Sequence, residues 1–285
     1  MLTSMKDMLN KANNGDYAVA QFNINNLEWT RYILEACNEK NSPVILGVSE
    51  GAIKYMGGYN VVVALVKALI KDLNIKIDVA LHLDHGSSFE SCTKALDAGF
   101  TSVMIDASSL PLEENLNITK KVVEYAKIFN ASTEAEIGSI GGSEDSIDEE
   151  LIYAKVEDAL KLKNETGIDF LAPALGSVHG LYKKEPKINY DRMAEIHDKT
   201  GLPLVLHGAT GLDDETLKKS ILCGTSKVNI NTELQVAWNE NVRTYIKENE
   251  KVYDPRKIIS SGEKAIKEAI YHKIEVLGSI NKSQK

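Results

Sequence analysis

Cysteine is scarce in this chain of 285 residues, with only Cys37, Cys92 and Cys223 present. An odd number of widely spaced thiols in no ligand-like cluster argues against a disulfide framework, and a reducing compartment is the expectation. Long apolar runs are missing too: no stretch approaches the roughly 18 uninterrupted apolar residues of a membrane span. The start, MLTSMKDML, has an acid in its first turn and no long apolar segment, so it does not read as a secretory signal, and the cytoplasm is the expected location. Positive charge is in deficit, with 33 Lys and Arg against 41 Asp and Glu, a net charge of −8. That balance argues against nonspecific binding to nucleic acid or an anionic membrane, and any phosphate ligand must find a local positive site. Internal repeats, low-complexity tracts and linkers are also absent, so residues 1–285 read as a single domain. At this length one α/β barrel, for which about 250 residues is typical, fits the whole chain.

Histidine is sparse as well, but three of the six share one context: His85-Gly86, His179-Gly180 and His207-Gly208. Each pair closes a run that reads as a buried strand, in VALHLDHG, DFLAPALGSVHG and LPLVLHG, with a flexible backbone right behind the imidazole. A single strand-end histidine is commonly a hydrogen-bonded, partly buried residue. Three in the same setting read as a metal site, because zinc that does chemistry commonly takes three protein ligands and favours neutral imidazole. Asp84, directly before His85, is a candidate proton carrier.

Apolar runs predict strands at 17–22, 43–48, 77–83, 102–106, 132–137, 169–172, 203–206 and 227–230. Helical patterns alternate with them at 4–14, 27–39, 89–98, 111–130, 156–166, 190–200, from 213, at 233–248 and from about 255 to 277, with further helical segments up to 73. Eight strands alternating with helices predict a (β/α)8 TIM barrel, with a doubly wound open sheet as the rival; polar residues after nearly every strand favour the barrel, whose strands all open on one rim.

His85, His179 and His207 are then expected from the third, sixth and seventh strands. Strict alternation puts Asp84 and His85 on opposite faces, unless it lapses at the strand end. Glu136 is a possible fourth ligand, with Glu134 and Asp106 as further candidates. Gly180 with Lys183, the run Gly208 to Gly211, and Asn229 to Thr232 form a second theme, since late loops of α/β barrels often hold phosphate on backbone N–H groups at a helix start. The stretch 138–150, rich in glycine and acid without apolar periodicity, reads as a loop, either a bland surface loop or a lid hinged at Gly138, Gly141 and Gly142 with Glu144 as proton carrier. Arg256 opens a helix, where it meets solvent or a phosphate.

The stretches YAVAQFNINNLEW, SPVILGVSEGA, LHLDHGSSFESC, GFTSVMIDAS, EAEIGSIGGSEDS, LAPALGSVHGLY, LPLVLHGATG, KVNINTE and YDPRK together resemble the class II, metal-dependent fructose-1,6-bisphosphate aldolases from end to end. The related tagatose-bisphosphate aldolases and a sugar-acid aldolase branch share most of these motifs. The resemblance implies zinc or a similar divalent metal on His85, His179 and His207, with Glu136 as an alternative or second-metal ligand. The metal would stabilise the enediolate of dihydroxyacetone phosphate as a Lewis acid. Asp84 would take the C4 hydroxyl proton and Glu144 would protonate C3. By the same matching Gly180, Lys183, Gly208, Thr210, Asn229 and Thr232 would hold the ketone-side phosphate, and Asn23, Ser49 and Arg256 the far one. Arg256 would reach a neighbouring subunit, which implies a homodimer or homotetramer, and a monovalent cation (Na+ or K+) near the phosphate is also implied.

Two positions depart from the family pattern. Asn231 stands where many relatives have aspartate near the substrate C3 and C4 hydroxyls, so a substrate-binding role transfers to it less directly. Ala209 follows Gly208 as in the tagatose branch, whereas HGSSFESC and GVSEGA point to fructose bisphosphate. Three alternatives stay open: Schiff-base chemistry on Lys227, for which the sequence offers no apolar burial on both sides; a noncatalytic phosphate- or metal-binding barrel; and a metal-dependent hydrolase.

Overall fold

A computed structural model describes residues 2–144, 147–149, 152–180 and 186–283. Its strands are β1 (Val19–Asn23), β2 (Val44–Ser49), β3 (Val79–Gly86), β4 (Ser102–Ile105), β5 (Ser132–Ile137), β6 (Gly141–Glu144), β7 (Ile147–Glu149), β8 (Phe170–Pro173), β9 (Val178–His179), β10 (Leu204–Leu206) and β11 (Thr225–Ile230). Eight of them close a barrel in the order β1-β11-β10-β8-β5-β4-β3-β2, and every neighbouring pair is parallel. The expected TIM barrel is therefore the observed fold. A strand of such a barrel is covered on both faces, which is why β2 reads VILGVS and β1 is buried along its whole length.

Alternation along each strand separates two apolar environments. Ala20 and Phe22 of β1, Leu46 and Val48 of β2, and Leu81 and Leu83 of β3 pack outwards into the core shared with the helical ring. Val19, Ile45, Ala80, Phe170 and Val205 point inwards near the strand starts, where Met5, Met8, Leu9 and Ala12 of the helix Met5–Asn14 close that end of the barrel. Each such fully buried side chain stabilises the fold by about 1.5–3 kcal/mol. Further along the same strands the inward positions turn polar: Gln21, His82, Glu134 and Lys227 are all fully buried. Beyond them, at the strand ends, come Asn23, Asp84, Glu136 and His207. The interior thus grades from an apolar plug to a charged layer to a reactive rim.

Several helices start and stop where their sequence says. Helices Leu27–Glu39, Phe89–Ala98, Val156–Thr166 and Tyr190–Thr200 have the expected bounds. Ser88 and Ser91 form a capping box, Asp213 caps the helix Asp214–Leu222, and Gly99 ends its helix in the left-handed region at φ 109°.

Three expectations are corrected. Residues 138–150 are not a loop throughout: β6 and β7 pair antiparallel, and β6 pairs parallel with β9 in a separate small sheet. Backbone hydrogen bonds make that ladder, and they leave no apolar period in the sequence. His179 does not end a barrel strand either, because β8 stops at Pro173 and His179 lies six residues on, in β9. The last helix is two, Pro255–Ser260 and Glu263–Val276. At the break, Gly262 sits against the Trp238 ring so closely that a Cβ would lie 2.2 Å from it. Among the described residues no single helix is long and apolar enough to cross a membrane.

Candidate active site

The C-terminal ends of β3, β10 and β11 supply the centre of the site. Asp84 and His85 are consecutive, yet both reach it because His85 adopts φ 48°, a left-handed conformation uncommon for a residue other than glycine. The pairing register between β3 and β4 shifts at the same place, between Leu83 and Gly86. The lapse of alternation is thus a single twisted residue, of the kind that concentrates at functional sites.

Two carboxylates fix the orientation of two imidazoles. His85 Nδ1 lies 2.6 Å from Asp106 Oδ2, and His207 Nε2 lies 2.9 Å from Glu134 Oε1. Both acids are held below the ordinary carboxylate range. Burial pushes Asp106 up, but its bonds to His85 and Ser108 outweigh it; for Glu134 the same burial is outweighed first by the Lys227 charge and then by the bond to His207. Burial holds His207 below the ordinary imidazole range, so its ring is neutral. An ionised carboxylate only accepts, so each ring carries its proton on the carboxylate side and turns its other nitrogen inwards.

The two inward atoms, His85 Nε2 and His207 Nδ1, are 2.9 Å apart. That separation is a hydrogen-bond distance when one nitrogen carries a proton; with the protons on the carboxylate sides both nitrogens offer lone pairs to the same space, and such a donor set fits a metal ion. Imidazole and carboxylate donors of this kind suit zinc and similar divalent ions. His179 completes the group, with ring centroids 5.1 Å from His85 and 5.8 Å from His207. Ligand atoms of the three histidines all lie within 4.8 Å of one another, as do those of His85, Asp106 and Glu136.

His179 reaches its partners through a close backbone approach. Gly208, at φ 66°, lies against Val178 so tightly that a Cβ would stand 2.3 Å from the Val178 carbonyl oxygen. The glycine after His207 is therefore a contact surface for the segment carrying His179, not merely a flexible joint. Glu136 accepts from the backbone N–H of Ile140 at 3.0 Å, which ties the end of β5 to the chain leading into β6.

Asp84 is wired into the same cluster. Asn23 Nδ2 donates to its Oδ2 at 2.8 Å, and Asn229 Nδ2 lies 3.3 Å from its Oδ1 and 3.2 Å from His207 Nδ1. Burial pushes the Asp84 carboxyl up, but His85, His207, Lys227 and His82 around it outweigh burial and hold it well below the usual carboxylate range. The outcome is an ionised carboxylate, almost fully buried, directly beside His85.

Other residues singled out from the sequence are distributed around this centre. Asn23, Ser49 and Asn231 line one cavity of about 480 Å³ with Trp29, Tyr55 and Trp238. Gly208 and Thr210 are buried after β10, Gly180 follows His179 at φ 81°, and Thr232 is the first residue of the helix Thr232–Glu248. Arg256 is exposed and paired with Asp254 at 2.9 Å. Lys183 and the side chain of Glu144 lie outside the described residues. Glu134 spends one oxygen on His207 and the other on Lys227, 2.7 Å away. Lys227, expected to lack burial, is fully buried and ion-paired. The support that sequence reasoning missed, Gln21 beneath Asn23 and Lys227 beneath Glu134, had a signal: a polar residue at an inward position in the middle of an apolar strand.

The chain matches the family described as fructose-bisphosphate aldolase class-II over residues 3–282. It is 57% identical over 283 residues to a fructose-bisphosphate aldolase of Geobacillus stearothermophilus and 55% identical over 284 residues to one of Staphylococcus aureus, in each case across 99% of both chains. Among solved structures it is similar to the YdjI aldolase of Escherichia coli K12, with a TM-score of 0.87 and 32% identity over all of both chains. A fructose-bisphosphate aldolase of Campylobacter jejuni superposes with a TM-score of 0.82 at 25% identity, over 99% of this chain and 97% of that one. The chain belongs to the class-II fructose-bisphosphate aldolase family, whose members are metal-dependent lyases.

Proposed function

We propose that this protein reversibly cleaves fructose 1,6-bisphosphate to dihydroxyacetone phosphate and glyceraldehyde 3-phosphate, a reaction of glycolysis and gluconeogenesis, with zinc on His85, His179 and His207. The observation that carries the reading is the convergence of three histidines, their ligand atoms within 4.8 Å of one another, on a site that also contains an oriented, ionised Asp84. When bound, the metal supplies Lewis-acid polarisation of the ketose carbonyl.

The remaining roles fall to side chains and backbone. Asp84, held by the Asn23 and Asn229 amides, takes the proton of the C4 hydroxyl; the C3–C4 bond breaks and the aldehyde departs. Glu144, carried on the β6 hairpin, returns a proton to C3, and condensation reverses these steps. Backbone N–H groups at Gly180 and Gly208, with Lys183, Thr210, Asn229 and Thr232, bind the ketone-side phosphate, whose charge a sodium or potassium ion would help to offset. Asn23, Ser49 and Asn231 face the other half of the sugar in the shared cavity. Arg256, exposed on its own subunit, completes the far phosphate site of a neighbour in a homodimer or homotetramer. Glu136 and Asp106, grouped with His85, form the alternative metal position. A soluble cytoplasmic enzyme of small sugar phosphates, without nucleic-acid or membrane partners, is the corresponding biological reading.

Tagatose 1,6-bisphosphate, the C4 epimer, is the second reading, favoured by Ala209 after Gly208. Triose-phosphate release from each bisphosphate, with and without chelator, tests both. Cleavage that is lost to chelator, restored by zinc and faster for the fructose substrate supports the proposal. Chelator-resistant cleavage overturns the metal assignment, and preference for tagatose moves the substrate assignment to its epimer.

A further inference from the structure

Beneath the three histidines the barrel contains a charge pair that the reaction itself does not use. Lys227 on β11 and Glu134 on β5 are both fully buried, with Nζ 2.7 Å from Oε2. The other Glu134 oxygen faces His207 Nε2 at 2.9 Å. His82 is near, its Nε2 3.6 Å from Glu134 Oε2, but it cannot neutralise the acid. Its Nδ1 lies 2.8 Å from Ser102 Oγ, and that hydroxyl already donates to the Ser132 carbonyl, so it accepts from the ring and leaves Nε2 without a proton. The charge of Glu134 is therefore balanced by Lys227. A buried ion pair contributes little stability over an apolar pair of the same volume, so its retention in the barrel calls for a use beyond packing.

We propose that Glu134 and Lys227 are positioning residues for the metal centre: Glu134 fixes the ring and tautomer of His207, and Lys227 fixes Glu134. The inference rests on the reading of His207 as a metal ligand. It follows the physical rule that a carboxylate behind a ligating imidazole sets its orientation and raises its basicity. It also gives the barrel lysine a role as a tethered cation, with its amine committed to a carboxylate and not offered to a carbonyl.

Cobalt(II) titration of the metal-free protein tests this. Affinity is read by competition with a chelator, geometry by the ligand-field absorption bands, and folding by thermal denaturation of the metal-free form. Glu134→Gln is expected to weaken cobalt binding by about 10–100-fold and to shift the bands. Lys227→Arg, which keeps the cation, should bind within a few-fold of the parent. The double variant Glu134→Gln/Lys227→Met removes both charges together, leaves no orphan charge, and should lose as much affinity as Glu134→Gln; it carries the test should the single variant not fold. Parental affinity and unchanged bands in the glutamine variants would overturn the role of Glu134. A loss in Lys227→Arg as large as that in Glu134→Gln would overturn the tethering role of Lys227. Failure of the underlying reading shows separately, in a parent protein that takes up no cobalt, and it removes this role as well.

Discussion

At the scale of single residues, the site depends on backbone conformation as much as on side-chain identity. His85 at φ 48° turns its ring into the same space as Asp84, so the proposed proton acceptor and one of the proposed metal ligands come from consecutive positions of one strand. Asp84 is poised by two amides, from Asn23 and Asn229, and its carboxyl is held well below the usual carboxylate range. Asp84→Asn keeps the volume and loses the basicity. It is expected to lower kcat by about 10²–10⁴-fold, the usual contribution of a positioned base, while the bound metal per chain stays at the parental value; steady-state kinetics beside metal analysis checks both. The three histidines were legible as one group because each precedes a glycine at the end of an apolar run, and their ligand atoms do come within 4.8 Å of one another. Their orientation was not, because the φ of His85 and the hydrogen bonds of Asp106 and Glu134 depend on residues far away in sequence.

Elements bring these residues together, and glycine decides how near they come. The chain just after β10 meets β9 where Gly208 lies against the Val178 carbonyl, which seats His179 beside His207. Gly208→Ala would force a Cβ into that carbonyl and demand φ 66° of an L residue. The expected result is a displaced His179, at least a tenfold weaker zinc affinity by chelator competition, and far-ultraviolet circular dichroism like that of the parent. Helix positions were largely readable, since the helices at 27–39, 89–98, 156–166 and 190–200 have apolar periods of about 3.6 residues. The β6–β7 hairpin and the short β9 were not, because a small ladder of glycine and polar residues is held by backbone bonds that leave no side-chain pattern. For the same reason His179 read as the end of a barrel strand when it belongs to the strand after it.

Across the whole molecule, stability and chemistry occupy opposite ends of the barrel. The helix Met5–Asn14 plugs the end where strands begin, with Leu9 fully buried against Val19, Ile45 and Phe170. The reactive rim is at the other end. Leu9→Ala is accordingly expected to cost about 2–5 kcal/mol of unfolding free energy, measured by urea denaturation, with kcat/KM unchanged under conditions where the protein stays folded. The closed barrel was legible from eight apolar runs alternating with helical patterns, each followed by polar residues. Glu134 and Lys227 were noticed one at a time, but their pairing, and the layer they form with Gln21 and His82, was not legible, because it exists only when strands distant in sequence close around one axis.

The central claim is that one divalent metal sits on histidines contributed by three separate segments. Anomalous scattering at the zinc edge, from crystals of the protein loaded with one equivalent of zinc, tests it most directly. A single peak per chain is expected within about 2.0–2.1 Å of nitrogens of His85, His179 and His207, the usual zinc–imidazole distance. A peak held by Asp106 and Glu136 without His179 and His207, or no ordered zinc at the rim, would contradict it.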